Sequence, residues 1–272
     1  MAQSDETTLV SEGHMRIKRC RHGPMLYNST DSFIGRSLDL YGEYSEAEAA
    51  AFEKFLHPGM VAIDVGANIG CFSIFMARRV APEGAVIAIE PQRIIYQTLC
   101  ANAAMNGITN IHAIHAAAGE EAGTIIVPAI DYAASGNFGG VELGSHDNGE
   151  GVPLTAIDSL PLPACHLIKI DVEGMEGRVL EGAKQTIEKH KPALYVENDR
   201  QEKSPALIEA LFKADYRLYW HLPPLYNPNN FFANKENVFG NTGSLNMVGL
   251  PKSFDAPVSG LTEITSPEDW PL

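Results

Sequence analysis

The sequence predicts a doubly wound α/β domain, a mostly parallel sheet covered by helices on both faces. Three observations support this. The apolar run Met60-Val-Ala-Ile63 passes through Asp64-Val-Gly66-Ala-Asn68-Ile-Gly70 into a helical pattern, Phe72 to Arg79, which is a buried strand, a glycine turn and a helix. A second strand-like run, Ala85 to Ile89, ends in Glu90-Pro91, twenty residues after Gly70. Beyond it, strand and helix patterns alternate, so Asp64, Glu90, Asp171 and Glu197 all fall at strand carboxyl ends. Such ends form the ligand-binding rim of a parallel sheet.

The remaining elements follow in order. Residues 1 to about 13 are expected to be disordered or loosely attached, and a hairpin follows over His14–Arg21 and Met25–Tyr27 through a His-Gly-Pro turn. Residues 1–44 are thus an N-terminal extension. Ser45 as N-cap and Glu48 at N3 spell a capping box that opens a helix to about Phe55 and begins the main domain, 45–250. A helix from Arg93 to Asn106 stops at Gly107, Ile111–Ala116 reads as a strand, and Gly123–Val127 as a short added one. Residues 129–152, rich in glycine, serine and asparagine, form a loop long enough to be functional or mobile. Ile168–Asp171 is a strand, and one helix over Glu176–His190 lines up Val179, Leu180, Ala183 and Ile187. Ala193–Val196 is a strand, and Ser204 caps a helix with Pro205 at N1. Arg217–His221 and Ser244–Val248 are late strands, and 251–272 is a C-terminal tail.

The 272 residues carry a net charge of −14, so no basic surplus exists to meet a nucleic-acid backbone. The one basic cluster, Arg16 to Arg21, alternates with apolar residues as the wet face of a strand does. Cys20, Cys71, Cys100 and Cys165 are scattered without C-x-x-C spacing and read as free thiols. The N-terminus lacks a signal pattern and no apolar run spans a bilayer, so a cytoplasmic protein is expected, and a homo-oligomer is compatible with such a domain.

The glycines are spaced G-x-x-x-G, not G-x-G-x-x-G, and Asp64 precedes them. A carboxylate there repels a pyrophosphate and suits a cation, which favours S-adenosylmethionine, with its sulfonium and ammonium, over NAD. Glu90 is placed to accept hydrogen bonds from both ribose hydroxyls. An NAD-dependent dehydrogenase, or an α/β protein in which Asp64 only caps the turn, is the alternative.

Ile63-Asp-Val-Gly-Ala-Asn-Ile-Gly70, Glu90-Pro91, Leu167-Ile-Lys169-Ile-Asp171-Val-Glu173-Gly-Met-Glu176, Val179-Leu-Glu-Gly-Ala183 and Asn137-Phe-Gly-Gly140 together resemble the FkbM family of S-adenosylmethionine-dependent methyltransferases, over about Gly35 to Val248. The resemblance implies a Rossmann-like, seven-stranded class I methyltransferase fold whose last strand runs antiparallel. It also implies methylation of a hydroxyl, often on a sugar, a polyketide or a related small molecule. The implied cofactor-binding residues are Glu43, Asp64, Gly66, Asn68, Gly70, Glu90 and Ala117, with Tyr41-Gly-Glu43 reaching the methionine end. Asn137 and Phe138 are implied at the substrate.

Methyl transfer to oxygen needs the acceptor's proton removed and the reacting atoms in line. In one arrangement Asp171, Glu197 and Asn198 hold a Mg2+-like cation, a pattern similar to catechol O-methyltransferase except that Glu stands for its second Asp. In the other no metal is used, and His221 or Glu173, with Asp199 behind them, takes the proton. Lys169 either orients Asp171 or a substrate oxygen, or is simply a strand-edge partner of a carboxylate. The loop Leu222 to Phe232 reads as a substrate lid with Tyr226 and Phe231 stacking on the acceptor, or as a packing loop. An N-methyltransferase acting on an amine or peptide, and a non-catalytic partner subunit that binds the cofactor, are the alternative functions.

Overall fold

The computed structural model describes residues 7–144, 146–254 and 258–271. Its centre is an eight-stranded sheet in the order β14-β12-β13-β11-β10-β4-β5-β6. The strands are β4 (Val61–Val65), β5 (Ala85–Ile89), β6 (Ile111–Ile114), β10 (Leu167–Ile170), β11 (Ala193–Glu197), β12 (Tyr216–His221), β13 (Asn246–Pro251) and β14 (Thr262–Ile264). β6, β5, β4, β10 and β11 are parallel neighbours, and β13 enters antiparallel between β11 and β12. The antiparallel late strand implied by the resemblance is therefore present. β14 was not expected: the segment read as a tail pairs with β12 and adds an eighth strand.

β4 and β10 are buried throughout, as strands of a doubly covered parallel sheet are, and apart from Asp64 and Lys169 they are apolar. On one face, α2 (Glu46–Phe55) and α3 (Cys71–Val80) pack over the sheet, with the Phe52 ring edge-on to Phe72 and Tyr195. α4 (Arg93–Met105) follows β5 and ends before Gly107, as expected. On the other face, α5 (Glu176–Glu181) and α6 (Lys184–His190) bury Val179, Leu180 and Ile187, and α7 (Ser204–Lys213) buries Leu207, Ile208 and Leu211.

α5 and α6 are two helices where the spacing predicts one. A side chain at Gly182 would meet the Gly119 carbonyl oxygen at 2.0 Å, so the backbones touch at the break. A short turn at Ile157–Ser159 docks there: the Asp158 N–H donates to the Gly182 carbonyl at 2.8 Å, and its carboxylate accepts from the N–H groups of Gln185 and Thr186. A cap supplied from another segment is invisible to periodicity. At α7 the cap is Lys203, and Ser204 lies one residue inside, its hydroxyl buried against Asn198.

Before the sheet lie β1 (Thr8–Glu12), β2 (Met15–Cys20) and β3 (Gly23–Asn28), an antiparallel three-stranded sheet, and α1 (Ile34–Tyr41). The hairpin stands where expected. β1 replaces part of the loose start, whose residues 1–6 lie outside the described residues. Asn102 on α4 fixes β3 by accepting from Leu26 N–H at 2.6 Å and donating to its carbonyl at 2.9 Å. Gly123–Val127 is a strand, β8, but with β7 (Ala117–Ala118) and β9 (Glu150–Thr155) it forms a separate three-stranded sheet. Among the described residues no helix is long and apolar enough to cross a membrane, and all four cysteines are free thiols.

Asp158→Ala leaves the first N–H groups of α6 without their acceptor. The expected loss is about 1 kcal/mol of unfolding free energy, read by chemical denaturation, with the cleft unaffected.

Candidate active site

The carboxyl ends of β4, β5, β10 and β11 open into a cleft of about 500 Å3. The glycine turn after β4 forms its floor. Gly66 has φ +73°, and a side chain there would strike the Asp171 carbonyl oxygen at 1.8 Å, so only glycine fits. Gly70, φ +90°, sits at the start of α3. Asn68 lies on the cleft wall with its N–H donating to Glu90 Oε2 at 3.0 Å, and Gln92 N–H donates to Oε1 at 2.8 Å. Glu90 is thereby fixed on the cleft lining, to which Ala117 also belongs. Burial pushes its carboxyl up to about 7 against those two donors.

Asp64 does not reach the cleft wall. It is fully buried behind the turn, where Ser73 Oγ donates to Oδ2 at 2.6 Å and the Lys169 ammonium stands 3.3 Å from Oδ1. The cation it suits belongs to the protein. Lys169 Nζ also donates to the Gly66 carbonyl at 2.9 Å and pairs with Asp171 Oδ2 at 3.2 Å. Burial works against its charge, but Asp171, Asp64 and Glu48 outweigh that and hold the ammonium above the usual lysine range. Lys169 is thus the partner of two carboxylates and the clamp of the turn.

Asp171, Glu173 and Glu197 converge on the cleft, with carboxylate oxygens within 4.8 Å of one another. Glu173, at φ +54°, is pushed up to about 7 by burial and by Asp171, while Arg200 at 2.9 Å opposes the rise. Glu197 is raised further by burial and the surrounding acids, and its Oε2 is buried without a hydrogen-bond partner. Asn198, expected beside it as a ligand, points the other way: its amide donates to Ser204 Oγ and Met247 Sδ. Successive residues of a strand face opposite sides, so Glu197 and Asn198 do not share the cleft. Glu173 stands in the third place instead.

His221 is not among the residues lining the cleft. It lies behind the wall, with Nδ1 2.8 Å from the Tyr195 hydroxyl. Asp199 is on the lining and pairs with Arg200 at 2.9 Å. Asn137 lines the cleft and caps its own loop by accepting from Gly140 N–H. Phe138 is buried in the core beneath, tied through its backbone to Gln92 and Asp31.

Glu43, Tyr226 and Phe231 depart from expectation together. The Glu43 carboxylate is buried and held by Arg21 at 2.7 Å, Asn227 at 2.8 Å and the Phe231 N–H at 2.7 Å, so it anchors the 222–243 loop and is not on the cleft lining. Tyr226 stacks edge-on against Tyr41, and Phe231 lies 47% exposed beside Arg21. The loop is packed against α1, and it contributes Leu225, Thr242 and Gly243 to the cleft, with Ser244 and Leu245 just after it.

Sequence reasoning missed Gln92, Tyr44, Arg200 and Glu48 on the wall. Glu48 was expected to cap its helix. Ser45 instead adopts a left-handed conformation, φ +43°, and its hydroxyl donates to Glu48 Oε1 at 2.7 Å, as does Ser244 at 2.9 Å. The reciprocal capping box is absent, and the acid turns into the cleft.

The profile of the family described as "Methyltransferase FkbM domain" matches residues 64–218, more than half of the chain. A curated relative, "Methyltransferase sdnD" of Sordaria araneosa, is 36% identical over 64 residues, which cover 23% of this chain and 24% of the relative. A solved structure of the methyltransferase FkbM from Methylobacillus flagellatus is 21% identical, covers 75% of this chain and 50% of its own, and superposes with a TM-score of 0.47. The precorrin-6y C5,15-methyltransferase of Geobacter metallireducens shares the fold, at 15% identity, 76% and 88% coverage and a TM-score of 0.52. The chain spans about a quarter of the curated relative's length and half of the first solved structure's.

Lys169→Met strands the Asp64 anion in the core. The expected loss of stability is about 3–5 kcal/mol by denaturant titration, and Asp64→Asn in the same chain recovers part of it. Equal losses for the double and single variants would show that the ion pair does not carry the effect.

Proposed function

Because the chain belongs to the FkbM methyltransferase family, we propose that its cleft binds S-adenosylmethionine and transfers the methyl group to a hydroxyl of a small molecule or sugar. The observation that carries the cofactor is Glu90. It directly follows β5, beside a glycine turn on the cleft wall, and is oriented by two backbone N–H groups. The ribose hydroxyls would donate to it, and Gly66 lets the ligand lie close to the backbone. The lining beyond Glu90 is small, with Ala116, Ala117 and Ala118 leaving room for a flat ring.

An acceptor would enter against Asp171, Glu173 and Glu197. Carboxylates accept hydrogen bonds from the several hydroxyls of a sugar-like molecule. They suit an amine less, because they stabilise the ammonium form, which has no lone pair for attack. The transfer is an in-line displacement: the acceptor oxygen bonds the methyl carbon, the carbon–sulfur bond breaks, and one proton leaves the hydroxyl. The histidines lie off the cleft lining, so a carboxylate receives that proton.

The same three acids fit a Mg2+-like ion. They are hard oxygen donors at close range, and Glu197 Oε2 is a buried acceptor without a partner. When bound, such an ion lowers the pKa of a coordinated hydroxyl. Asp171, Glu173 and Glu197 would hold it.

Two measurements test these readings. Glu90 is protonated below about pH 7, whereas ribose hydroxyls donating to it favour the carboxylate. Binding of S-adenosylhomocysteine should therefore release a proton, and its affinity should rise between about pH 6 and 8. Calorimetry in buffers of different ionisation enthalpy reads both, and Glu90→Gln should weaken binding and flatten the profile. No binding by the wild type, or preference for NAD, removes the cofactor assignment. Separately, Mn2+ titration followed by electron paramagnetic resonance should show one site that Asp171→Asn and Glu197→Gln each weaken by at least about tenfold. A wild type that takes up no Mn2+ at millimolar concentration excludes the ion.

A further inference from the structure

The acids of the cleft divide by whether the protein supplies them a cation. Its lining carries the carboxylates of Glu48, Glu90, Asp171, Glu173, Glu197 and Asp199 against the cations of Lys169 and Arg200. Lys169 pairs with Asp171, and Arg200 with Glu173 and Asp199. Among the described residues no ion pair engages Glu48, Glu90 or Glu197. Glu90 is met by two backbone N–H groups, and Glu197 stands in the close group with Asp171 and Glu173. Glu48 has neither arrangement, and that close group does not include it.

The protein nevertheless builds Glu48 into the wall with care. The residue is 3% exposed, and the hydroxyls of Ser45 and Ser244 both donate to one oxygen, Oε1, at 2.7 and 2.9 Å. Ser45 takes up the left-handed region, φ +43°, where a serine is uncommon, and the ordinary helix cap is forgone. A buried carboxylate without a counter-charge is costly, and burial lifts its carboxyl above the ordinary range. A cation brought by a ligand would complete the arrangement. A metal ion does not suit it, because one carboxylate offers too few oxygen ligands and both serine hydroxyls point their hydrogens at it.

We propose that Glu48 binds an ammonium group of the acceptor, so that the acceptor is an amino-hydroxy compound of the amino-sugar kind. This rests on the hydroxyl-methylation reading. The ammonium is the handle and a hydroxyl of the same molecule is methylated, because the ammonium form has no lone pair for attack. Position in the sheet favours the acceptor over the cofactor as its source. Ser244 ties Glu48 to the segment that enters β13, whereas Glu90 follows β5, four strands away in the sheet and thus about 19 Å across it. A cofactor with its ribose at Glu90 and its amino-acid end on the glycine turn after β4 meets Asp171, beside Gly66, first.

The test uses the whole chain and two sugars that differ in one group, glucosamine and glucose. With the protein saturated by S-adenosylhomocysteine near neutral pH, saturation-transfer NMR titrations should give glucosamine at least about tenfold the affinity of glucose. Glu48→Gln, which keeps the shape and removes the charge, should abolish that preference by weakening glucosamine alone. Equal binding of the two sugars by the wild type, binding of neither, or a preference that survives Glu48→Gln overturns the proposal. A further arm compares S-adenosylhomocysteine with its analogue lacking the amino group. If Glu48→Gln weakens the first and not the second, the ammonium is the cofactor's and the acceptor assignment fails. Folding is checked by circular dichroism. Should Glu48→Gln not fold, Glu48→Asp withdraws the carboxylate by one methylene and should narrow the preference, and an undiminished preference overturns the proposal. The sugars are also titrated without cofactor: failure to bind S-adenosylhomocysteine sinks the methyl-transfer reading, while a Glu48-dependent preference for glucosamine is still read on the free protein.

Discussion

The Lys169 ammonium is the interaction on which the site depends. It lies inside the sheet at 2% exposure and meets four oxygens: the carboxylates of Asp64 and Asp171 and the carbonyls of Val65 and Gly66. A lone carboxylate with the burial of Asp64 would cost several kcal/mol in its charged form. A lone lysine would lose its charge just as readily. Together they are stable, and they fix two things at once. The glycine turn is pulled onto β10, where Gly66 rests against the Asp171 carbonyl, and the Asp171 side chain is held at the cleft. The glycine turn and the acidic wall of the cleft are one ion-paired unit.

Buried acids secure the cleft's other walls in the same manner. Asp31 accepts from the backbone N–H groups of Phe33, Gly35 and Phe138, tying the long 128–149 loop to the N-terminal extension. Glu43 does so for the 222–243 loop, and Glu48 for Ser244. Segments with little apolar surface to bury are held by charge-assisted hydrogen bonds, which are stronger than neutral ones and set a direction. Ligand-binding walls held this way are formed in advance of the ligand, and ordering them does not draw on binding energy.

This division explains what could be read from the sequence. The β4–turn–α3 unit, β5 with Glu90, and β10 with Asp171 are local: apolar runs, glycines and strand-end acids lie within a few residues of one another. Glu48, Glu43 and the break at Gly182 are set by partners about thirty to two hundred residues away. In Glu48 the local signal even pointed elsewhere, because Ser-x-x-Glu normally describes a helix cap. Asn198 was misplaced for another reason: side chains alternate along a strand, so with Glu197 on the cleft lining its neighbour Asn198 turns to Ser204 and Met247. β14 is three residues long, too short for alternation to register.

Charge gives these arrangements a common sense under methyl transfer. The cleft gathers Glu48, Asp171, Glu173 and Glu197 around a single internal ammonium, and burial holds Glu48, Glu173 and Glu197 toward their neutral forms. A sulfonium ligand stabilises the carboxylates by its field. When the methyl group departs, the sulfur becomes neutral and that stabilisation ends. A carboxylate that was comfortable beside the cation then favours a proton, and under the proposed methylation of a hydroxyl the acceptor would release one in the same event. Loss of the sulfonium charge and protonation of a wall acid therefore compensate, and the cleft's net charge does not change across the step. A wall acid already raised by burial is the group best placed to make that exchange.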